Sequence, residues 1–158
     1  MSRPSEALAA LGLVLPPVAA PVAAYVPAVL DGDRVWTSGQ LPFVDGALPS
    51  TGLVGAEATA GTVSPEAAQA LARICALNAI AAAAEVAGGI DALAGVLKVV
   101  GFVASAPGFT GQPGVVNGAS GLLGEVFGAA GQHARSAVGV ASLPLGAPVE
   151  VEVIFRRA

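Results

Sequence analysis

The sequence predicts an α+β domain, a sheet carrying two helices on one face and leaving the other face to be covered by something else. Three observations carry this reading. Helical and β-prone runs follow one another in the order helix, strands, long helix, strand, helix, two strands. The 158 residues are 54% apolar and only 11% charged, against about 25% charged in ordinary soluble domains, which fits a large core under a weakly charged surface. The 21 Gly and 12 Pro are scattered among apolar runs rather than gathered into a tract, so a disordered or collagen-like chain is excluded. Residues 1–158 read as a single domain, with 1–20 as an N-terminal helical extension.

Within that extension, Ser5–Leu13 is rich enough in Ala and Leu for a short helix, and Pro16-Pro17 ends it. The helix reads as an appendage. Two β-prone runs, Tyr25–Leu30 and Arg34–Ser38, flank Asp31-Gly32-Asp33 and predict a hairpin, which Ser38-Gly39-Gln40 breaks. From Asp45 to Gly61 four glycines and no period predict a loop with at most one short strand. A long helix starts at Ser64, with Pro65 suited to the first helical position and Glu66 favourable against the dipole, and Gly88-Gly89 stops it after Ala87. Val96–Ala104 is β-rich, and a second helix is expected from Pro113 to Ala130, with Gly118, Gly121, Gly124 and Gly128 allowing a neighbour to approach closely. Two last strands, about Ala134–Ala141 and Pro148–Phe155, are joined by a turn at Pro144-Leu145-Gly146 and read as a hairpin.

Seven basic residues against eleven acids leave a net charge of -4 and a pI near 4.8, with no basic cluster of the kind nucleic acid requires. Although the mean hydropathy is +0.75, no stretch reaches the roughly 18 uninterrupted apolar residues of a spanning helix, so no membrane partner is expected. The start imitates a signal peptide, but Glu6 sits in the would-be basic region and Pro16-Pro17 breaks the apolar stretch. It reads as part of the mature protein, and a cytoplasmic location is expected. The single cysteine, Cys75, excludes an intramolecular disulfide and a multi-thiolate metal site, and reads as a buried inert thiol.

Alternation along the last two strands sorts the remaining charges by face. Ser136, Val138 and Val140 point one way, with the two valines assigned to the core, and Arg135, Ala137 and Gly139 point the other. On the final strand Val149, Val151 and Val153 form an apolar face, while Glu150 and Glu152 share the opposite one. Those carboxylates are either solvated or paired with Arg156 or Arg157, or they are functional. Arg135, beside the small Ala137 and Gly139, suits bidentate capture of a carboxylate; the alternative is an interface ion pair with Glu150 or Glu152. His133, the only histidine, has no serine or cysteine arrangement nearby that would make a catalytic triad and reads as a surface or helix-end residue.

Taken together, Trp36-Thr37-Ser38-Gly39-Gln40-Leu41-Pro42, Ala134-Arg135-Ser136-Ala137-Val138, Leu143-Pro144 and Val149-Glu150-Val151-Glu152 resemble the reactive intermediate deaminase family, also called YjgF-like or L-PSP endoribonuclease. The resemblance runs from about Tyr25 to the C-terminus, in order. It implies a chorismate-mutase-like α+β fold, a homotrimer whose sheets form a central barrel, and three clefts between subunits. It also implies hydrolysis of 2-imino or enamine acids to 2-keto acids and ammonium, with no metal or cofactor. In that resemblance Arg135 holds the substrate carboxylate, Glu150 positions the attacking water, and Tyr25, Ser38, Gly39, Asn117 and Ala137 line the cleft. Ala137 stands where the family often has cysteine, Tyr25 is followed by Val26-Pro27, and one extra residue separates Asn117 from Arg135.

A plain hairpin about Leu145 would pair Arg135 with Phe155 and Glu150 with Val140, setting the two about 15 Å apart at 3.3 Å per residue. One cleft is therefore expected to take Arg135 and Glu150 from different chains. Two further functions compete with deamination. A non-catalytic trimer binding a small carboxylate metabolite would need Arg135 but not Glu150. Ribonuclease activity is opposed by the net charge of -4 and the want of an aromatic-basic groove.

Overall fold

The computed structural model describes residues 2–18, 24–57 and 59–158. Five strands form the main sheet in the order β1-β2-β7-β5-β6, with β1 at Ala28–Asp31, β2 at Arg34–Thr37, β5 at Leu93–Ala104, β6 at Ala134–Val140 and β7 at Val149–Arg157. The short β3 (Leu53–Val54) and β4 (Thr62–Val63) pair in parallel on their own; β3 is the one short strand inside the expected 45–61 loop, and β4 begins just beyond it. Helices α2 (Pro65–Ala87) and α3 (Gln112–Phe127) cover one face of the main sheet.

The long helix forms where its signals predict. Ser64 caps it, its Oγ accepting the Ala67 N–H at 3.1 Å, a contact worth about 1 kcal/mol. Gly88 ends it at φ +96°, a left-handed conformation that suits glycine. Arg157 Nε donates to the Ala87 carbonyl at 3.1 Å, placing a cation on the negative end of the helix dipole. By length and composition α2 is apolar enough to cross a bilayer, although no stretch of it long enough to span is free of polar residues. Here it is the core helix of the fold, burying Leu71, Cys75, Ala79 and Ile80 completely or nearly so. Only Gly118 among the α3 glycines admits the neighbouring helix: a Cβ there would strike the backbone carbonyl of Gln69 on α2. Gly121, Gly124 and Gly128 have open space instead.

The first hairpin forms, turning at Gly32 with φ +60°. The last one does not. β6 and β7 are not neighbours; both flank β5, with β6 parallel to it and β7 antiparallel. The cause is the helical connection, since a strand followed by a helix returns as a parallel neighbour, and α3 makes β5-α3-β6 such a crossover unit. β7 then fills the gap between β2 and β5.

This topology also corrects the faces of β6. Arg135 aligns with Val99, which is buried under the helices, whereas Val138 aligns with Phe102 on the opposite face and is 45% exposed. Val138 and Val140 therefore belong to the open face, together with Val29, Trp36 and Ile154, and not to the core. The apolar residues of an edge strand can serve an uncovered face as readily as a core, and alternation alone does not say which. On the buried face Val149, Val151, Val153 and Phe155 of β7 pack as expected.

Helix α1 (Pro4–Ala10) is docked rather than free. Leu8 is buried, and the backbone N–H and Oγ of Ser5 donate to the Asp91 carboxylate at 2.9 and 2.7 Å. Residues 1, 19 and 20 of the expected extension lie outside the described residues.

Candidate functional site

Beyond β2 the chain stays beside β7 without continuing the strand. Gln40 exchanges two backbone hydrogen bonds with Val151, at 2.8 and 3.0 Å, and its side-chain amide donates to the Ser38 carbonyl at 3.1 Å. Thr37 Oγ1 accepts the Val153 N–H at 3.0 Å, and Asn78 on α2 donates to the carbonyls of Leu41 and Phe43 at 2.9 and 3.2 Å. The stretch from Thr37 to Phe43 is thus fixed from both sides. Gly39 inside it is required by contact, because a Cβ there would occupy the place of the Glu150 carboxylate.

Glu150 lies on the open face of β7, half-buried, and no donor among the described residues hydrogen-bonds its carboxylate. Burial, then the like charge of Glu152 two residues on, pushes its carboxyl above the usual carboxylate range. Ser38 is committed to the chain before β1: its Oγ donates to the Val26 carbonyl at 2.6 Å and its N–H to the Pro27 carbonyl at 2.8 Å. That brace sets the segment carrying Tyr25, whose side chain is half exposed. Glu150, Gly39 and Ser38 therefore form one contiguous region, with Tyr25 attached through Val26. Cys75 lies behind it, its Sγ 3.7 Å from the Val149 carbonyl, and burial followed by the Glu150 charge raises its thiol well above the ordinary value. It is the inert buried thiol expected.

Arg135 faces the helices at the other edge of the sheet. Its Nη1 donates to Asn117 Oδ1 at 2.8 Å and to Ser120 Oγ at 3.2 Å, and its Nη2 to the Pro113 carbonyl at 3.4 Å. These acceptors recur at i, i+4 and i+7, one stripe of α3. All three are neutral. The ion pairs among the described residues are Arg3–Glu6, Arg3–Asp91 and Arg73–Glu125, so neither Glu150 nor Glu152 pairs with Arg135, Arg156 or Arg157. Of the five guanidinium N–H groups, one on Nε and one on Nη2 carry no partner among the described residues. Arg135 has no acidic partner among the described residues and keeps N–H groups to give. Ala137 lies two residues on, on the same face and against the core.

Arg135 and Glu150 are not brought together within the chain. Through β5, Arg135 aligns with Val99 and Glu150 with Phe102. They are three residues apart along the strand direction, about 10 Å, and two strand spacings apart across it, about 9.5 Å. They also point to opposite faces, as an odd offset requires. A groove of about 300 Å³ between α2 and α3 takes in Asn117 but not Arg135. A hollow of about 100 Å³ on the open face takes in Trp36, Lys98 and Glu152 but not Glu150. Neither holds the pair.

Two residues escape the sequence reading. His133 is half-buried, and its Nε2 lies 3.0 Å from Ser120 Oγ, a partner thirteen residues earlier across the α3–β6 connection. Asn78, a polar residue in the middle of an apolar helix, is explained by the two carbonyls it holds. The polar stripe Pro113, Asn117, Ser120 was the available signal for the first, and the isolation of Asn78 for the second.

Residues 5–155 match the family described as "YjgF/chorismate_mutase-like, putative endoribonuclease". Protein TCP17 of Trypanosoma cruzi is 44% identical over 153 residues, 96% of this chain and 92% of that protein. The crystal structure of Atu1372 from Agrobacterium tumefaciens, a protein of unknown function, is 41% identical, covers 98% of this chain and 92% of its own, and superposes with a TM-score of 0.86. An endoribonuclease-labelled structure from Shewanella oneidensis is 32% identical over 98% of this chain and 99% of its own, with a TM-score of 0.89. The agreement runs through every element that carries Arg135 and Glu150, and the chain belongs to the YjgF/chorismate mutase-like family.

Proposed function

We propose that the chain hydrolyses small 2-imino or enamine acids to 2-keto acids and ammonium, in clefts that form between the subunits of a homotrimer. The observation that carries this is Arg135, a cation oriented by three neutral acceptors, unpaired with any described acid, and with N–H groups left on its Nε–Nη2 edge. Such an edge accepts a substrate carboxylate in two parallel hydrogen bonds. The iminium carbon beside that carboxylate is already electrophilic and needs a located water and a proton acceptor.

Glu150 supplies the acceptor. Its carboxyl, raised by burial and by Glu152, takes a proton as water adds to C2, then gives it to the departing nitrogen as the tetrahedral carbinolamine collapses. One water and one iminium acid yield one keto acid and one ammonium ion. Because Arg135 and Glu150 of one chain face opposite sides of the sheet, the cleft takes its arginine from one subunit and its glutamate from another. The open face carrying Trp36, Val138 and Ile154 is the surface that the other copies cover.

The test couples threonine dehydratase or an amino acid oxidase to the purified protein and follows loss of the transient imine. Wild type is expected to accelerate the loss and Arg135→Ala not to. No acceleration by wild type, with 2-oxobutyrate still binding at Arg135, overturns catalysis and leaves a carboxylate-binding trimer. Mixing Arg135→Ala with Glu150→Gln subunits tests the shared cleft: random exchange gives about a quarter of clefts both native residues, and persistent inactivity after exchange rules out a two-chain site.

A further inference from the structure

We propose that Ser120 and His133 are positioning residues that aim Arg135, acting as a single hydrogen-bonded chain anchored on the Gly131 carbonyl. The inference rests on the reading of Arg135 as the carboxylate-binding group. His133 and Arg135 are two residues apart and so project from the same face of the chain entering β6. His133 Nδ1 lies 2.6 Å from the Gly131 carbonyl, His133 Nε2 lies 3.0 Å from Ser120 Oγ, and Ser120 Oγ lies 3.2 Å from Arg135 Nη1.

The direction of each bond follows from chemistry. A carbonyl oxygen only accepts, so Nδ1 carries a proton, and in the neutral ring Nε2 is then the lone-pair nitrogen. Nε2 accepts a hydrogen bond from the Ser120 hydroxyl. With that proton committed, the Ser120 lone pairs are turned toward Arg135, which can only donate. Without the histidine the hydroxyl is free to rotate or to bond the helix carbonyl behind it, and the guanidinium loses a fixed acceptor.

The anchor is stiff. Gly131 ends a short 3₁₀ turn, Gly128–Gly131, between α3 and β6. It is buried against α3 so closely that a Cβ there would meet the Leu123 carbonyl. The carbonyl that fixes His133 is therefore held by the same helix that supplies Ser120 and Asn117. With Asn117 as the second acceptor on Nη1, the chain holds that end of the guanidinium while the Nε–Nη2 edge stays available to the substrate.

Because His133 is the only histidine, imidazole ¹⁵N spectra of histidine-labelled protein report this one ring. At neutral ring charge the expected spectrum is the Nδ1–H tautomer, and adding 2-oxobutyrate shifts the Nε2 signal in wild type but not in Arg135→Ala. By calorimetry, 2-oxobutyrate affinity is expected to fall about 5- to 30-fold in Ser120→Ala and to stay near wild type in Ser120→Thr, which keeps the hydroxyl. His133→Asn is expected to lose a similar factor, and the double variant Ser120→Ala/His133→Asn no more than either alone, as members of one chain should. An Nε2–H tautomer, additive losses, or wild-type affinity in Ser120→Ala while Arg135→Ala fails to bind each overturn the positioning role and leave Arg135 as the binding group. Wild-type affinity in Arg135→Ala overturns the carboxylate reading itself.

Discussion

Arg135 and Glu150 stand on the two sides of β5, one strand away in either direction, and their surroundings differ in kind. Around Arg135, every acceptor is neutral and comes from a rigid helix or its first turn, so the side chain is oriented while its charge is left whole. Around Glu150 there is no donor among the described residues, a glycine where a side chain would collide, and a second carboxylate nearby. A group that binds a charge must point in one direction and remain charged. A group that shuttles a proton must be able to hold one, and partial burial beside a like charge favours the protonated form.

The largest expected effect tests the second environment. Glu150→Gln keeps shape and removes the proton acceptor, so kcat should fall about 100- to 10,000-fold with KM little changed. A fall in KM-dependent rate alone would place Glu150 among the binding groups. Arg135→Ala should do the reverse, losing about 100-fold in kcat/KM mainly through KM, read from initial rates over a range of substrate. Gly39→Ala sharpens the contrast. Its methyl group displaces only the flexible end of Glu150, so kcat should drop about 10- to 100-fold while the melting temperature moves by no more than about 1 °C.

The smallest effect concerns stability. A folded-state carboxyl raised above its unfolded value penalises folding once it ionises, so its cost appears above the raised value and vanishes below the ordinary carboxyl range. Glu150→Gln should therefore melt higher than wild type at neutral pH, by about 1–2 °C because a half-exposed charge is screened. The difference should close as the pH falls, and a constant offset across the titration would mean that Glu150 is not the strained group.

How much of this could be read beforehand depended on whether the signal was local. Ser64-Pro65-Glu66 and Gly88-Gly89 bound α2 because caps act within a few residues. The pairing of β6 and β7 was misread because Pro144-Leu145-Gly146 looks like a hairpin turn, whereas the partner of β6 is set by the helix before it. The error carried to Val138, whose face depends on what covers the sheet. The resemblance singles out Arg135, Glu150 and Asn117 as candidates, and the structure gives Gly39 its reason in the contact with Glu150. Ser120 and His133 stayed hidden because their contact is made across the turn that joins α3 to β6.

The position of β7 in the sheet also bears on how the chain comes to be folded. It is the last strand in chain order, yet it lies between β2 and β5 and is what joins them. During synthesis the β1–β2 hairpin and the β5–α3–β6 unit emerge first, each with an unpaired edge facing the gap that β7 will fill. Such edges are open to pairing with the wrong strand. Closure of the sheet awaits the final segment, and the same strand that brings Glu150 also ends that exposure, so a chain truncated before Val149 is expected to hold two sheet fragments rather than a damaged whole.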